Sequence, residues 1–195
     1  MQIKEGLNYF PDYLKKPLIN DIICNLRNLA KESPFFIPKM PKTNKSFSVK
    51  ITNMGNVGWV SDKEGYRYQD FHPITKKSWS KIPSNITNIW QELINANTKP
   101  DCCLVNCYDK NAKMGLHIDN DEKDFSYPVL SISIGASALF RFGGLKRSDK
   151  TQSIKLNNGD IIILSGKSRL IYHGIDKIYP NDKFNYRINL TMRKI

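Results

Sequence analysis

Tyr186-Arg187-Ile188-Asn189-Leu190-Thr191-Met192-Arg193 sets apolar residues at every second position and puts Arg187, Asn189, Thr191 and Arg193 between them. Successive side chains of an extended strand point to opposite faces, so this stretch reads as a strand with one apolar and one wholly polar face. Upstream, short β segments are expected over 102–108, 129–134, 138–142, 152–156, 160–164 and 169–173. Turn signals at Gly135, Gly143-Gly144, Asn157-Asn158-Gly159-Asp160 and Gly166 separate them. Short strands at this spacing predict a double-sheet jelly roll, an α+β protein that is mainly β.

Two helical patterns lie further toward the N-terminus. Leu18, Ile19, Ile22, Ile23, Leu26, Leu29 and Ala30 recur at three- and four-residue steps between Pro17 and Ser33-Pro34. Ile86, Ile89, Trp90, Leu93 and Ile94 repeat the pattern after Pro83, with Ser84 as N-cap and Pro100 as terminator. Such stripes are core-packing faces, so both helices are expected on one outer face of the jelly roll. Between them, residues 39–81 hold nine Lys/Arg against three Asp/Glu, interleaved with Phe47, Trp59, Tyr66, Tyr68, Phe71 and Trp79. That net +6 is half of the chain's surplus of +12.

A length of 195 residues suits one domain. Its expected parts are an N-terminal extension with a helix (1–38), a basic aromatic lid (39–81), a second helix (82–100) and the jelly-roll core (101–195). The charge surplus points to a polyanionic partner or an anionic substrate. The first residues lack the layout of a signal peptide, and no apolar run is long enough for a membrane span. Four cysteines without a C-x-x-C pair give no disulfide framework or zinc knuckle. A cytoplasmic monomer without membrane contact is expected.

Three histidines are present. His72, before Pro73 in a polar loop, is read as having no role at the site. In His117-Ile118-Asp119 the imidazole and the carboxylate lie two apart and converge on one side of an extended chain. His173, after Arg169-Leu170-Ile171-Tyr172, is the best third ligand. Two imidazoles and one carboxylate leave positions open on an octahedral metal, which suits non-haem Fe(II) holding both a cosubstrate and O₂. Zinc favours a closed tetrahedron.

The final strand bears on what that cosubstrate is. A polar face can simply be solvated, as antiparallel sheets often are. Here Arg187 and Arg193 lie six residues apart, about 20 Å along the strand, so two extended arms can grip a short dicarboxylate lengthwise. Guanidinium donates two parallel hydrogen bonds to a carboxylate. Asn106 and Tyr108, also two apart, add donors. 2-Oxoglutarate fits: it needs cationic ends and a metal for its keto acid.

Several ordered motifs resemble the AlkB family, specifically its bacterial founding type. They are Asn106-Cys107-Tyr108, Gly115 to Glu122, Pro128 to Gly135, Phe142 to Arg147, Gly159-Asp160, Ser168 to Gly174 and Arg187 to Arg193. Upstream, Thr52 to Trp59 is similar to that type's nucleotide-recognition lid, and the resemblance covers roughly residues 20 to 195. It implies a double-stranded β-helix and Fe(II)/2-oxoglutarate chemistry with O₂ that reverses alkylation of nucleic-acid bases. Iron is then held by His117, Asp119 and His173, which carry the catalysis. 2-Oxoglutarate is held by Asn106, Tyr108, Arg187 and Arg193, with Asn189 and Thr191 nearby. The damaged base stacks between Trp59 and His117, with Asp121 near its exocyclic amine and Tyr66 and Arg147 near the strand. Ile118 and Asn120 depart from the founding type, which has Gln and Lys there.

The expected activity is therefore oxidative demethylation of bases such as 1-methyladenine and 3-methylcytosine, on DNA or RNA and on single strands, releasing formaldehyde, succinate and CO₂. Alternatives are the same chemistry on a methylated protein or small molecule, or a basic nucleic-acid-binding module that takes no metal.

Overall fold

The computed structural model describes residues 1–94 and 98–195. Among these residues thirteen strands and two α-helices follow in the order β1 (Gln2–Lys4), β2 (Leu7–Phe10), α1 (Lys16–Glu32), β3 (Lys50–Gly55), β4 (Gly58–Asp62), β5 (Gly65–Gln69), α2 (Ser84–Ile94), β6 (Cys102–Tyr108), β7 (Met114–His117), β8 (Val129–Gly135), β9 (Ser137–Phe142), β10 (Gln152–Leu156), β11 (Ile161–Leu164), β12 (His173–Tyr179) and β13 (Arg187–Arg193). A seven-stranded sheet runs β1-β2-β11-β8-β13-β6-β3, a four-stranded sheet runs β10-β9-β12-β7, and β4 and β5 form a separate hairpin. All strand pairs in the two large sheets are antiparallel, the arrangement of a jelly roll.

Strand parity divides the core in two. Ile188, Leu190 and Met192 of β13, with Cys103 and Val105 of β6, join Ile19, Ile22, Leu26 and Leu29 of α1 and Ile86, Ile89 and Trp90 of α2 in one buried cluster. Both helices thus cover the outer face of the large sheet, as their stripes require. Cys102, Leu104 and Tyr108 face the other way, into a second cluster with Phe140, Phe142 and Ile175 of the small sheet. The interior between the sheets therefore receives the polar face of β13. Cys103 and Cys107 lie on the helix side as small apolar residues, and the four thiols are free.

Three expectations need correction. Residues 169–173 are not a strand: a single helical turn occupies Gly166–Ser168, and the strand begins at His173. Arg169 holds that segment away from the sheet, donating to the carbonyls of Tyr127 (2.9 Å) and Asp119 (2.6 Å) and to Glu122 (3.0 Å). The basic segment 39–81 is not one lid, because β3 inside it is an edge strand of the large sheet, paired with β6. The separate hairpin is only β4–β5. Nor is 1–38 merely an extension, since β2 pairs with β11 at the opposite edge of the same sheet. The segment 82–100 contains α2, and its residues 95–97 lie outside the described residues.

Candidate active site

The polar residues of β13 are enclosed, not solvated. Arg187, Asn189, Thr191 and Arg193 are all buried and line a cavity of about 360 Å³ between the sheets. Asn106 and Tyr108 of the neighbouring strand β6 line it too, as do His117, Asp119, His173, Trp59, Tyr66, Asp121 and Arg147. Every site residue expected from the sequence thus meets at one cavity. Asn189 and Thr191 are already satisfied within the sheet. Asn189 donates to Ser131 Oγ (2.7 Å) and the Ile132 carbonyl (3.0 Å), and Thr191 donates to Asn189 Oδ1 (3.0 Å). They shape the wall more than they offer free donors.

His117 ends β7 and His173 begins β12, and the two residues are direct partners across that strand pair. Asp119 lies just beyond β7, off the strand, yet its carboxylate still meets both rings: Oδ1 is 3.7 Å from His117 Nε2 and Oδ2 is 3.8 Å from His173 Nε2. One ligand atom from each of the three lies within 4.8 Å of the others. The outer ring nitrogens fix the tautomers. His117 Nδ1 donates to the Gly115 carbonyl (2.9 Å) and His173 Nδ1 to that of Ile171 (3.1 Å), and a carbonyl can only accept. Each Nε2 is left with a lone pair aimed at the shared point, the arrangement by which proteins orient metal-binding imidazoles.

Electrostatics favour the ligand forms. Burial, reinforced by neighbouring His117, lowers the pKa of His173 to about 4, so its ring is neutral. Burial alone would raise the Asp119 carboxyl, but the Arg193 guanidinium at 2.8 Å overcomes this and holds it well below the usual carboxylate range. The neutral His173 imidazole, the His117 imidazole and the ionised Asp119 carboxylate are a fitting donor set for Fe(II) with open positions.

The arginines show what else belongs in the cavity. Arg187 is buried with only a hydrogen bond to Ser133 Oγ (2.9 Å) and the ring of Tyr108 5.2 Å from its guanidinium carbon. Among the described residues its Nε and Nη1 have no partner, and neither does Nη1 of Arg193. Burial pushes the pKa of Arg187 down, the signature of a cation short of compensation. Arg187, Arg193 and Arg169 place three buried cations against the buried carboxylate of Glu122 and the half-buried Asp119. A dicarboxylate would supply the missing acceptors, so the residues fit 2-oxoglutarate.

Over the mouth stands the β4–β5 hairpin. Trp59 donates Nε1–H to Asp121 Oδ2 (2.7 Å), stacks on Tyr66 at 5.7 Å and 16°, and meets Phe47 edge-on at 6.5 Å. An indole held by a carboxylate and a parallel phenol is a preset stacking surface. Arg147 is exposed at the rim, donating to the Leu116 carbonyl (2.7 Å) and lying over the Tyr172 ring. His72 plays no part here: its Nε2 donates to the Pro34 carbonyl, and Nδ1 accepts from the amides of Ile74 and Thr75.

Sequence reasoning gave no role to Glu122, Arg169, Ser131 or Ser133. Glu122 sits inside the Asp119 motif and Arg169 inside the His173 motif, so adjacency was the available signal. The serines alternate on β8 opposite Asn189 and Thr191, which only the strand register reveals.

A model of the 2OG-Fe(II) oxygenase superfamily matches residues 6–193. A Caulobacter vibrioides protein named alpha-ketoglutarate-dependent dioxygenase AlkB homolog is 47% identical over 202 residues, spanning 100% of this chain and 90% of the relative. The tRNA demethylase abh1 of Schizosaccharomyces pombe is 30% identical over 192 residues, spanning 95% of this chain and 63% of that protein. The solved structure of OsALKBH1 superposes with a TM-score of 0.87 at 29% identity, covering 100% of this chain and 99% of the other.

Proposed function

The chain belongs to the AlkB family of Fe(II)- and 2-oxoglutarate-dependent dioxygenases, and we propose that it strips N-methyl groups from nucleic-acid bases such as 1-methyladenine and 3-methylcytosine. The substrate is single-stranded DNA or RNA, and the enzyme works as a monomer in the cytoplasm.

One observation carries this reading: Trp59, braced by Asp121 and Tyr66, forms part of the wall of the same cavity that holds His117, Asp119 and His173. An enzyme acting on a base must take it out of its stack and hold its flat face. A methylated cationic base gains further from the indole face and from the carboxylate of Asp121. The relative named as a tRNA demethylase supports the same substrate class. So does the surplus of lysine over 39–81, which suits phosphates.

In this reading His117, Asp119 and His173 hold the ferrous ion. Arg187 and Arg193 take the two carboxylates of the cosubstrate, and Tyr108 closes the buried end beside Arg187. Bound iron and 2-oxoglutarate supply the oxidising chemistry: the keto acid is decarboxylated to succinate, O₂ is reduced, and the methyl group leaves as formaldehyde. The chain itself orients: Asp121 fixes the plane of Trp59, and the Gly115 and Ile171 carbonyls fix the imidazole tautomers.

Incubating the enzyme with Fe(II), ascorbate, 2-oxoglutarate and a mixed pool of alkylated DNA and RNA oligonucleotides and methylated peptides tests the reading by mass spectrometry. Loss of about 14 Da per N-methyl, the mass of one methylene, from the oligonucleotides alone supports it. Turnover of the peptides alone refutes it.

A further inference from the structure

Glu122 lies under the hairpin with its side chain almost fully enclosed. Tyr68 of β5 donates its hydroxyl to Oε1 at 2.6 Å, and the same oxygen is 3.1 Å from Arg193 Nε. That second approach is not aligned as a hydrogen bond, and Arg193 Nε has no other partner. Oε2 accepts from Arg169 Nη2 at 3.0 Å. Arg193 in turn reaches Asp119 Oδ2 at 2.8 Å, and Arg169 holds the Asp119 carbonyl. A single carboxylate therefore stands between the hairpin and the arginine at the metal end of the cavity.

The hairpin register strengthens the connection. Tyr68 is the direct cross-strand partner of Trp59, and those two side chains are bound by the adjacent acids Glu122 and Asp121. The segment 119–122 thus supplies one carboxylate to the metal centre and two to the hairpin.

We propose that Glu122 is a positioning residue shared by Tyr68 and Arg193, and that the Tyr68 hydroxyl keeps Arg193 free to bind 2-oxoglutarate. This rests on Arg193 being one end of the cosubstrate clamp. The reason is competition for one oxygen. While the phenol holds Oε1 at 2.6 Å in its present orientation, the Arg193 Nε–H approaches that oxygen out of line at 3.1 Å. Without the phenol, nothing opposes a full ion pair, which is short and strong when desolvated. Arg193 is then drawn toward Glu122 and away from the cosubstrate. A hydroxyl on the hairpin, which faces the base-binding side, is read out as affinity at the cosubstrate side.

Calorimetric titration of 2-oxoglutarate into the Mn(II)-loaded protein measures this without turnover. Tyr68→Phe should raise the Kd for 2-oxoglutarate by roughly three- to tenfold, the scale of one ordinary hydrogen bond, because Arg193 is redirected and not removed. Tyr179→Phe, at the end of β12 beside Lys155 and Lys177 and away from the cavity, should stay within about twofold. A double-mutant cycle separates positioning from general loosening: in an Arg193→Met background the Tyr68→Phe effect should vanish. If Tyr68→Phe binds as tightly as the parent while Arg193→Met is weakened, the inference fails and the clamp stands. If the Tyr68→Phe penalty persists in full without Arg193, the inference also fails. If Arg193→Met binds normally, the clamp reading falls and takes this inference with it.

Discussion

Replacing Arg187 with methionine should stabilise the protein without its cosubstrate while removing most of what the cosubstrate adds. Arg187 is 1% exposed, bonds only Ser133 Oγ through its guanidinium, and leaves Nε and Nη1 without partners. Enclosing an ion costs several kcal/mol after relaxation. One hydrogen bond from a charged donor returns about 1.5–3 kcal/mol. Methionine has similar length, no charge and a flexible chain that fills the same space. The balance is a gain of about 1–2 kcal/mol, and at about 2–4 °C per kcal/mol for a chain of this size Tm should rise by about 2–8 °C. The parent behaves oppositely when loaded: 2-oxoglutarate at a hundred times its Kd adds about 2.7 kcal/mol, and the variant should lose most of that. Thermal unfolding of both proteins with Mn(II), with and without 2-oxoglutarate, reads both effects. A variant that melts below the parent alone, yet gains as much on adding cosubstrate, would refute the argument that Arg187 waits for a carboxylate.

Trp59→Ala should weaken binding of methylated oligonucleotide by about 1–3 kcal/mol, the worth of one base stack, and leave succinate formation in the absence of nucleic acid nearly unchanged; equal loss of both would make the indole a structural residue, with product analysis by chromatography deciding. Arg169→Met should cost about 3–5 kcal/mol of stability, because Glu122 loses a buried partner, and a denaturant midpoint matching the parent would contradict that. Replacing Lys76 and Lys77 together with alanine should reduce the slope of log affinity against log salt by about 1.4 for a single strand. An unaltered slope in fluorescence anisotropy would take both lysines off the strand path.

Much of the site was legible because strand parity is so restrictive. Arg187 to Arg193 could be assigned to one face from alternation alone, and the structure puts that face between the sheets. The His117 and Asp119 pair was found by assuming one extended strand through both; the strand ends at His117, and convergence survives because Arg193 and Arg169 hold the carboxylate and its carbonyl. Residue 173 does meet His117 and Asp119 but was placed at the wrong end of a strand, since Arg169 looks like part of an apolar run until its three side-chain bonds are known. Strand β3 escaped for a different reason: Thr52 and Asn53 are both buried, bonded to the Ser33 carbonyl and to the backbone of Trp59, so no polar–apolar alternation marks it. Glu122 was invisible as a hub because its partners come from positions 68, 169 and 193, a convergence that no local pattern encodes.

The most direct measurement is the yield of formaldehyde and succinate from a single-stranded oligonucleotide carrying 1-methyladenine, for the parent and for Asp119→Ala shown to be folded by circular dichroism. The account predicts one formaldehyde per methyl removed, matched by succinate, in the parent, and neither product in the variant. Undiminished formaldehyde release by Asp119→Ala, or succinate from the parent without loss of the methyl group from the base, would contradict it.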